Sequence, residues 1–575
     1  MNVVQAAQGY MAKMVGEPAG MKVLLLDPDT TSTVSSVCTQ SFLLAKEVYL
    51  VDRIGNKNRD KMAHLKCVCF CRPTQESIAH IIDELKAPKY GEYYLYFSNV
   101  LKKLQVEKLA EADEHELVRE VQECFADYLA INSDLFTLDM DLPAWPLYAG
   151  TLADWDARAL QRTVDGLASA CLALKKRPVI RYAASSPHAK RLAHELGYLM
   201  QQEKPLFEAR TMTPATVLII DRRADPVTPL LNQWTYQAMV HEVLGIHHGL
   251  VDLSLVDGIR DDLKTVVLAA HDDQFYATNM YANFGDLGVA IKAYLAEYQR
   301  RTPNKAALES IADMKKFVDE YPEVRRLAGN VSKHVALTSE LSRIVDTERL
   351  LDVSEVEQNV ACADTSAPAL LRSDEALAES VAAKLRDPLV SGESKFKLAV
   401  LFALHNPRSP HLASFKQLLA DSAVSPMKLD LMDRVVRYAT TVGPASAATG
   451  TSATTGLAQF GKTVMRGLKG VENVYTQHVP PLHGVLEALV RGKLKETAYP
   501  FLEGTGASNG FPEGVRVNDV IVFMVGGTTF EEARFVHQLS ASVPGVRVVL
   551  GGNTVHNSQS FLKQIYDAFA QRVAS

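Results

Sequence analysis

"VLIIDRRADPVTPLLNQWTYQ" (residues 217–237) sets four apolar residues, Val217 to Ile220, directly before Asp221, Arg222, Arg223, Asp225 and two prolines. An apolar run bounded by turn residues reads as a strand buried on both faces. In an open α/β sheet, ligands gather at the carboxyl ends of strands, so this charge cluster raises the question of catalysis. An acid paired with a neighbouring arginine stays ionised, whereas a general base needs a raised pKa. Pro226 and Pro229 restrict the backbone and forbid helix before Leu231. No histidine, cysteine or serine nucleophile shares the loop. The stretch reads as a braced corner joining a sheet to a helix over Leu231 to Leu244.

Other strands lie on both sides of it. "KVLLL" (22–26), "VYLV" (48–51), "CVCF" (67–70) and "YYLYF" (93–97) are short apolar runs typical of buried parallel strands. Helical spacing separates them at about 35–46 and 74–86, and continues at 101–110 and 115–131. "PVIRY" (178–182) joins "TVLII" (216–220) in a second set, and the same rhythm returns only in "VIVFMV" (520–525) and "VRVVLG" (546–551). Two strands alone make a poor sheet, so residues 141–245 and 480–575 are expected to form one discontinuous domain. Residues 1–140 form the first α/β domain, and 246–479 a mainly helical one. The expected fold class is α/β, with two doubly wound parallel-sheet domains and one helical domain.

A chain of 575 residues exceeds a single core. Apolar residues are 47% and charged residues 22%, with a net charge of -6, so no overall basic footprint for nucleic acid or anionic membrane emerges. No run approaches the roughly 18 apolar residues of a membrane span. The first 20 residues lack the layout of a secretory signal. Seven scattered cysteines suggest a reducing compartment, so a cytoplasmic location is expected.

Several motifs invite chemistry. Gly456 to Thr463, "GLAQFGKT", fits the phosphate-cradling G-x-x-x-x-G-K-T loop, which a strand must deliver and a helix must follow. Here a Ser/Thr/Ala-rich stretch, 442–456, precedes it, so it reads as a chance match. Cys67, Cys69 and Cys71 alternate and share one face of a strand, which suits buried thiols better than a four-ligand zinc site. His247-His248 has no Glu at zincin spacing. The Gly pairs in "MVGGTTFEEARFV" and "VLGGNTVHNSQSF" fit tight strand-to-helix turns. No cofactor, metal site or catalytic residue is expected. A nucleotide-binding or hydrolytic α/β enzyme, using the 456–463 loop or the Asp221 turn, is the competing reading.

The chain nevertheless resembles a known family. "LIIDRRADPVTPLLNQWTYQAMVHEVLGI" (218–246), "NMYANFGDLG" (279–288), "GVENVYTQHVPPL" (470–482) and "VGGTTFEEARFVHQL" (525–539) look like the SM (Sec/Munc) family of syntaxin-binding SNARE regulators. "VLLLDPDTTSTVSSVCTQSFLLAKEVYLVDRI" (23–54) and "PKYGEYYLYFSNV" (88–100) are similar to its vacuolar-protein-sorting branch, which acts between the trans-Golgi network and endosomes. The resemblance covers almost the whole chain. It implies a three-domain arch with a central cleft, the second domain being split around the third. It also implies a non-enzymatic regulator of vesicle docking and fusion, peripherally associated with Golgi and endosomal membranes. The implied partners are a syntaxin-type SNARE, a vesicle SNARE and the assembled SNARE complex. Contact with the membrane would come only through them, and no nucleic acid is involved.

Three sites follow from the resemblance. A groove for the syntaxin's amino-terminal peptide maps to 102–125. There Val106 and Leu109 lie one turn apart, and Val118, Val121 and Phe125 are expected as a stripe on the next helix. The central cleft, for the folded part of the syntaxin, is assigned Asp27, Asp52 and Arg53 at the carboxyl edge of the first sheet. A helical hairpin offers a surface to a second SNARE through Leu327, Val331, His334, Leu337 and Leu341, which share one helical face. Pro322 interrupts that pattern and is expected to turn or kink the chain.

Overall fold

The computed structural model describes residues 1–141, 144–208, 215–301, 311–363, 373–442, 475–503 and 517–570. The first unit is a five-stranded, all-parallel sheet in the order β2-β1-β3-β4-β5. Its strands are β1 (Lys22–Leu26), β2 (Val48–Arg53), β3 (Met62–Cys71), β4 (Tyr90–Phe97) and β5 (Val118–Glu123). Alternation along the strands divides their apolar side chains between two cores. Leu24, Leu26, Val68, Phe70 and Tyr96 join the core that includes α1 (Val3–Gly16) and α2 (Pro28–Val37), with α3 (Gln40–Ala45) beside them. Val23, Leu25, Cys67, Cys69, Leu95 and Phe97 pack with Ile78, Ile81 and Leu109 of α4 (Gln75–Lys86) and α5 (Lys103–Ala112).

The second sheet has six strands in the order β6-β7-β13-β12-β9-β8, parallel except for β6 against β7. These are β6 (Leu129–Asn132), β7 (Leu135–Thr137), β8 (Pro178–Tyr182), β9 (Ala215–Asp221), β12 (Asp519–Val525) and β13 (Arg547–Gly552). Strands 300 residues apart in sequence are therefore direct neighbours: Ile219 pairs with Phe523 and Ile220 with Met524. Around the sheet lie α6 (Ala157–Ala173), α7 (Pro187–Gln202), the short α8 (Lys204–Phe207) and α9 (Tyr236–Val243).

Three expectations need correction here. Residues 115–131, read as helix, form β5 and enter β6. The sequence boundary at 140 also falls too late, because β6 and β7 belong to the second sheet and the crossing lies at Cys124–Tyr128. A turn at Ser133-Asp134 closes the β6–β7 hairpin, and those residue types favour turns. The helix expected from Leu231 begins at Tyr236, since a 3-10 turn occupies Thr228–Leu230.

The remaining unit starts with the hairpin β10 (Leu250–Asp252) and β11 (Thr265–Val267), followed by α10 (Gln274–Asn279), α11 (Phe284–Arg301) and α12 (Ile311–Thr347). Then come α13 (Leu350–Ala361), α14 (Asp374–Arg386), α15 (Gly392–His405), α16 (His411–Asp421) and α17 (Pro426–Thr440). After them α18 (Pro481–Val490), α19 (Phe530–Ser542) and α20 (Ser558–Ala570) return to the second sheet.

Gly551 shows how tightly that sheet is packed. A Cβ added there would land on the Phe136 ring, which is itself fully buried. We expect Gly551→Ala to destabilise the chain by about 1–3 kcal/mol through overpacking, measured as a lowered thermal midpoint. Gly545→Ala, with open space around its Cβ but a φ of +83°, should cost less and only through backbone strain.

Candidate functional site

The corner after β9 is assembled from buried charge. Arg222 is 0% exposed and Arg223 2%. The Arg222 guanidinium donates to both carboxylate oxygens of Glu532 at 2.8 Å and to Asp225 at 2.7 Å. Thr529 donates its amide and hydroxyl to Glu532 as well, closing a capping box at the start of α19. Burial pushes the Glu532 carboxyl upward while the Arg222 charge opposes it. Both of its oxygens already accept hydrogen bonds, so the carboxylate is the form that fits. Arg223 donates to Asp221, to the Leu152 carbonyl at 2.6 Å and to His188 Nδ1 at 2.9 Å. Burial would raise the Asp221 and Asp225 carboxyls, but the arginines hold both below their ordinary values. The corner's acids are thus spent on holding structure.

The same stretch reaches into the helical unit. Thr228 donates to Asp225 at 2.6 Å and meets His478 Nε2 at 3.0 Å, and the His478 amide donates to Gln358 at 2.7 Å. Asn232 donates twice to Glu357, and Trp234 Nε1 donates to Ser354 at 2.8 Å. Lys397 of α15 donates to Asn232 at 2.7 Å and to Glu242 at 2.9 Å, and Glu242 accepts the Ser558 amide that opens α20. Tyr281 packs its ring 5.0 Å from that of His537, which pairs with Asp134 at 2.8 Å, and the Tyr281 hydroxyl accepts from Asn132. The stretches at 218–246, 279–288 and 525–539, and the described part of 470–482 from Tyr475 onward, therefore meet one another. Their residues hold the second sheet to the helical unit.

The proposed groove residues do not form one helical stripe. Val118 and Val121 lie on strand β5, and a shift in register at Arg119 restores them to the same side. Val118 pairs with Tyr93 and Val121 with Leu95, both facing α4 and α5. Leu109 is buried on that side, Val118 half-buried, and Val106 and Val121 are 42% and 45% exposed. Phe125 points the other way, edge-on to Tyr10 of α1 at 6.5 Å, so it leaves the set. The register shift makes a strand mimic helical spacing.

Asp27 also departs from its expected role. It is 2% exposed and caps α2, accepting from the Thr30 and Arg72 amides and the Ser77 hydroxyl at 2.6–2.8 Å. A buried cap cannot steer a partner from a cleft rim. Asp52 is half-buried and holds Asn56, and Arg53 is exposed, both at the end of the edge strand β2. Tyr49, Leu50 and Val51 of β2 are 62%, 38% and 47% exposed.

In the helical unit the chain does not turn at Pro322. Helix α12 runs from Ile311 to Thr347 through it, and residues 302–310, between α11 and α12, lie outside the described residues. An interior proline costs about 3 kcal/mol, which the buried packing of Val331, Leu337, Leu341 and Val345 offsets. That packing also corrects the expected SNARE face. Leu337, Leu341 and His334 are 0% exposed, Val331 6%, and Leu327 is half-buried. The His334 ring accepts from the Tyr236 hydroxyl and donates to Asp273, each at 2.8 Å; burial lowers its pKa, so the neutral ring fits. This face is internal core.

One cavity flanks the corner and another lies apart from it. The first, of about 260 Å³, is lined by Ile220, Asp221, Arg222, Asp225, Leu482 and Glu532 among others, and its ionised groups already have partners. The other, of about 330 Å³, lies where the three units approach, with Asp139, His247, His248 and Lys563 on its wall. Among the described residues no cluster of His, Cys, Asp or Glu could hold a metal, and no helix is long and apolar enough to cross a membrane. Cys67 and Cys71 are buried, which pushes both thiols well above their ordinary pKa. The 456–463 loop lies outside the described residues.

Comparison with known proteins gives a consistent result. The model of the Sec1 family matches residues 22–564. Vacuolar protein sorting-associated protein 45 of Homo sapiens is 46% identical over 570 residues, covering 98% of this chain and 96% of that protein. Its Schizosaccharomyces pombe counterpart is 41% identical, with 98% and 99% covered. A solved structure of the SM protein Vps45 in complex with the Qa SNARE Tlg2 superimposes with a TM-score of 0.90 at 47% identity, covering 100% of this chain and 99% of that one.

Two expectations follow from the geometry. Glu532→Gln leaves the buried Arg222 with Asp225 alone and should cost about 3–5 kcal/mol of stability. Adding Arg222→Met together with Asp225→Asn should restore part of the loss in thermal unfolding, because only then does no uncompensated charge remain. The His537–Asp134 pair adds a pH signature. The hydrogen bond to Asp134 raises the His537 pKa above its ordinary value. Its stabilisation is therefore fully present below about pH 6.5 and fades as pH rises through the folded value. Asp134→Asn should lower the thermal midpoint more at pH 6 than at pH 8.

Proposed function

The chain belongs to the Sec1 family, and from that membership we propose that it binds a syntaxin-type (Qa) SNARE and regulates vesicle docking and fusion in trans-Golgi, endosomal and vacuolar protein transport. The carrying observation is likeness over its whole length, at 47% identity, to an SM protein solved with its Qa SNARE. We read it as non-enzymatic. At the strand ends where a doubly wound sheet would place catalysis, Asp221, Asp225 and Glu532 are consumed by Arg222 and Arg223. It acts from the cytoplasm, reaching Golgi and endosomal membranes through its partners, among them a vesicle SNARE and the assembled SNARE complex.

Different surfaces take different parts of that task. The side of β5 that faces α5, with Val106 and Val121 exposed over Leu109 and Val118, suits an amino-terminal peptide anchored by apolar side chains. The cleft face of the first unit is the uncovered β2 edge, where Asp52 and Arg53 flank exposed Tyr49, Leu50 and Val51. An edge strand with free backbone groups and apolar side chains is suited to a partner chain. The vesicle SNARE contacts the outer surface of the α11–α12 hairpin, where Val289, Leu295 and Val335 are exposed.

Calorimetry with a Qa-SNARE cytoplasmic region and its isolated amino-terminal peptide tests this reading. Val106→Arg with Val121→Arg should weaken the peptide by at least tenfold, about 1.4 kcal/mol, with the thermal midpoint held. Unchanged peptide affinity would move the groove elsewhere. If the parent chain bound no Qa SNARE, the whole reading would fall.

A further inference from the structure

Helix α1 precedes the segment that the family model covers, yet it is far from a loose extension. Asn2 caps it by accepting the Gln5 amide, and Val3, Ala7, Met11, Met14 and Val15 line its buried side. That spacing gives one continuous apolar stripe. The two ends of the stripe serve different units. At the amino end the Val3 amide donates to the Ser133 carbonyl at 3.0 Å, and the Tyr128 hydroxyl donates to the Val3 carbonyl at 3.1 Å. Ser133 sits in the turn of the β6–β7 hairpin, part of the second sheet. At the carboxyl end Lys13 donates to Gln122 of β5 at 2.8 Å, and Tyr96 of β4 donates to Glu17 at 3.2 Å. Between them Tyr10 meets Phe125 edge-on at 6.5 Å.

We propose that α1 is a positioning element, a rigid strut that fixes the angle between the first and second α/β units and so sets the opening of the SNARE-binding cleft. The inference rests on the proposed function for its readout. A helix of 14 residues spans about 21 Å and bends little, so pinning both ends couples the two sheets. The chain crosses between them once more at Cys124–Tyr128, where Asp127 meets Arg72 at 3.3 Å and Arg162 at 3.2 Å. Around that crossing Thr33 of α2 donates to the Tyr128 carbonyl at 3.4 Å and Asn99 to the Asp165 carbonyl at 2.8 Å, and α1 adds a further attachment at Ser133 that resists rotation about it. Gln122 pairs with Tyr96 and thus faces α1, on the side of β5 opposite Val121. The strut therefore acts without touching the peptide groove.

The test is the double variant Tyr10→Ala with Lys13→Ala, which loosens the carboxyl end of α1 by removing its contacts with Phe125 and Gln122 while Val3, Ala7, Met11, Met14 and Val15 stay packed. Small-angle scattering of the free chain should broaden. Affinity for the whole Qa-SNARE cytoplasmic region should fall about tenfold, as it would if the competent geometry dropped to a tenth of the population. Affinity for the isolated amino-terminal peptide should stay within about twofold, since its groove lies in one unit. Tyr10→Phe keeps the ring contact and should behave as the parent does, and Lys13→Glu serves as a milder probe should the double variant fold poorly. Unchanged scattering, or equal weakening of both ligands, overturns the strut. Absence of SNARE binding by the parent would instead overturn the functional reading, with scattering still deciding on the strut.

Discussion

Arg222, fully buried between Asp225 and Glu532, is the contact on which the architecture depends. An unpaired charge at that depth would be prohibitive, so the fold must bring in a carboxylate from 310 residues away. Doing so obliges β12 and α19 to join β8 and β9, and the intervening helical unit becomes an insertion between two halves of one sheet. Gly526, with φ of +93°, lets the chain pass beside Arg222, where an added Cβ would sit 3.0 Å from the Arg222 Cβ. Charge, sheet order and glycine conformation state the same constraint.

That constraint extends outward through Thr228, Asn232 and Glu242, each held by residues of the helical unit or of α20. None of these side chains is free to meet a partner. The stretches that make the family legible in sequence are thus mostly interior seams. Recognition by sequence finds the parts of the molecule that position the binding surfaces, because seams tolerate little change in size or charge, whereas an exposed edge does.

The strands of both sheets were largely readable because each is a short apolar run, buried on both faces, with turn residues at its ends. The discontinuous second sheet followed from counting them. Strand β5 was hidden because its register shift places Val118 and Val121 three apart on one side, which imitates a helix. The β6–β7 hairpin was hidden because its strands have only four and three residues. Asp27 carries no sign in the sequence of whether it caps a helix from inside or faces solvent. For α12 the periodicity was right and its meaning reversed: a stripe of Val331, His334, Leu337 and Leu341 describes equally a face for a partner helix and a face for the chain's own core. Burial decides it, and burial depends on β10, β11 and α10, which no periodicity within α12 reveals.

A division between inside and edge follows. Inside, ionised groups are matched one against another, so the second sheet's carboxyl edge, where α/β proteins commonly bind small molecules, is filled by its own arginines. At the edges, β2 and β5 are the outer strands of a parallel sheet, and each has a neighbour on one side only. Parallel sheets usually have both faces covered by helices, which leaves their edges as the surfaces where backbone and side chains remain free. A chain that locks its charged corners and keeps two edges of one sheet open, at either end of that sheet, offers a partner protein two separate points of attachment, as the proposed function requires.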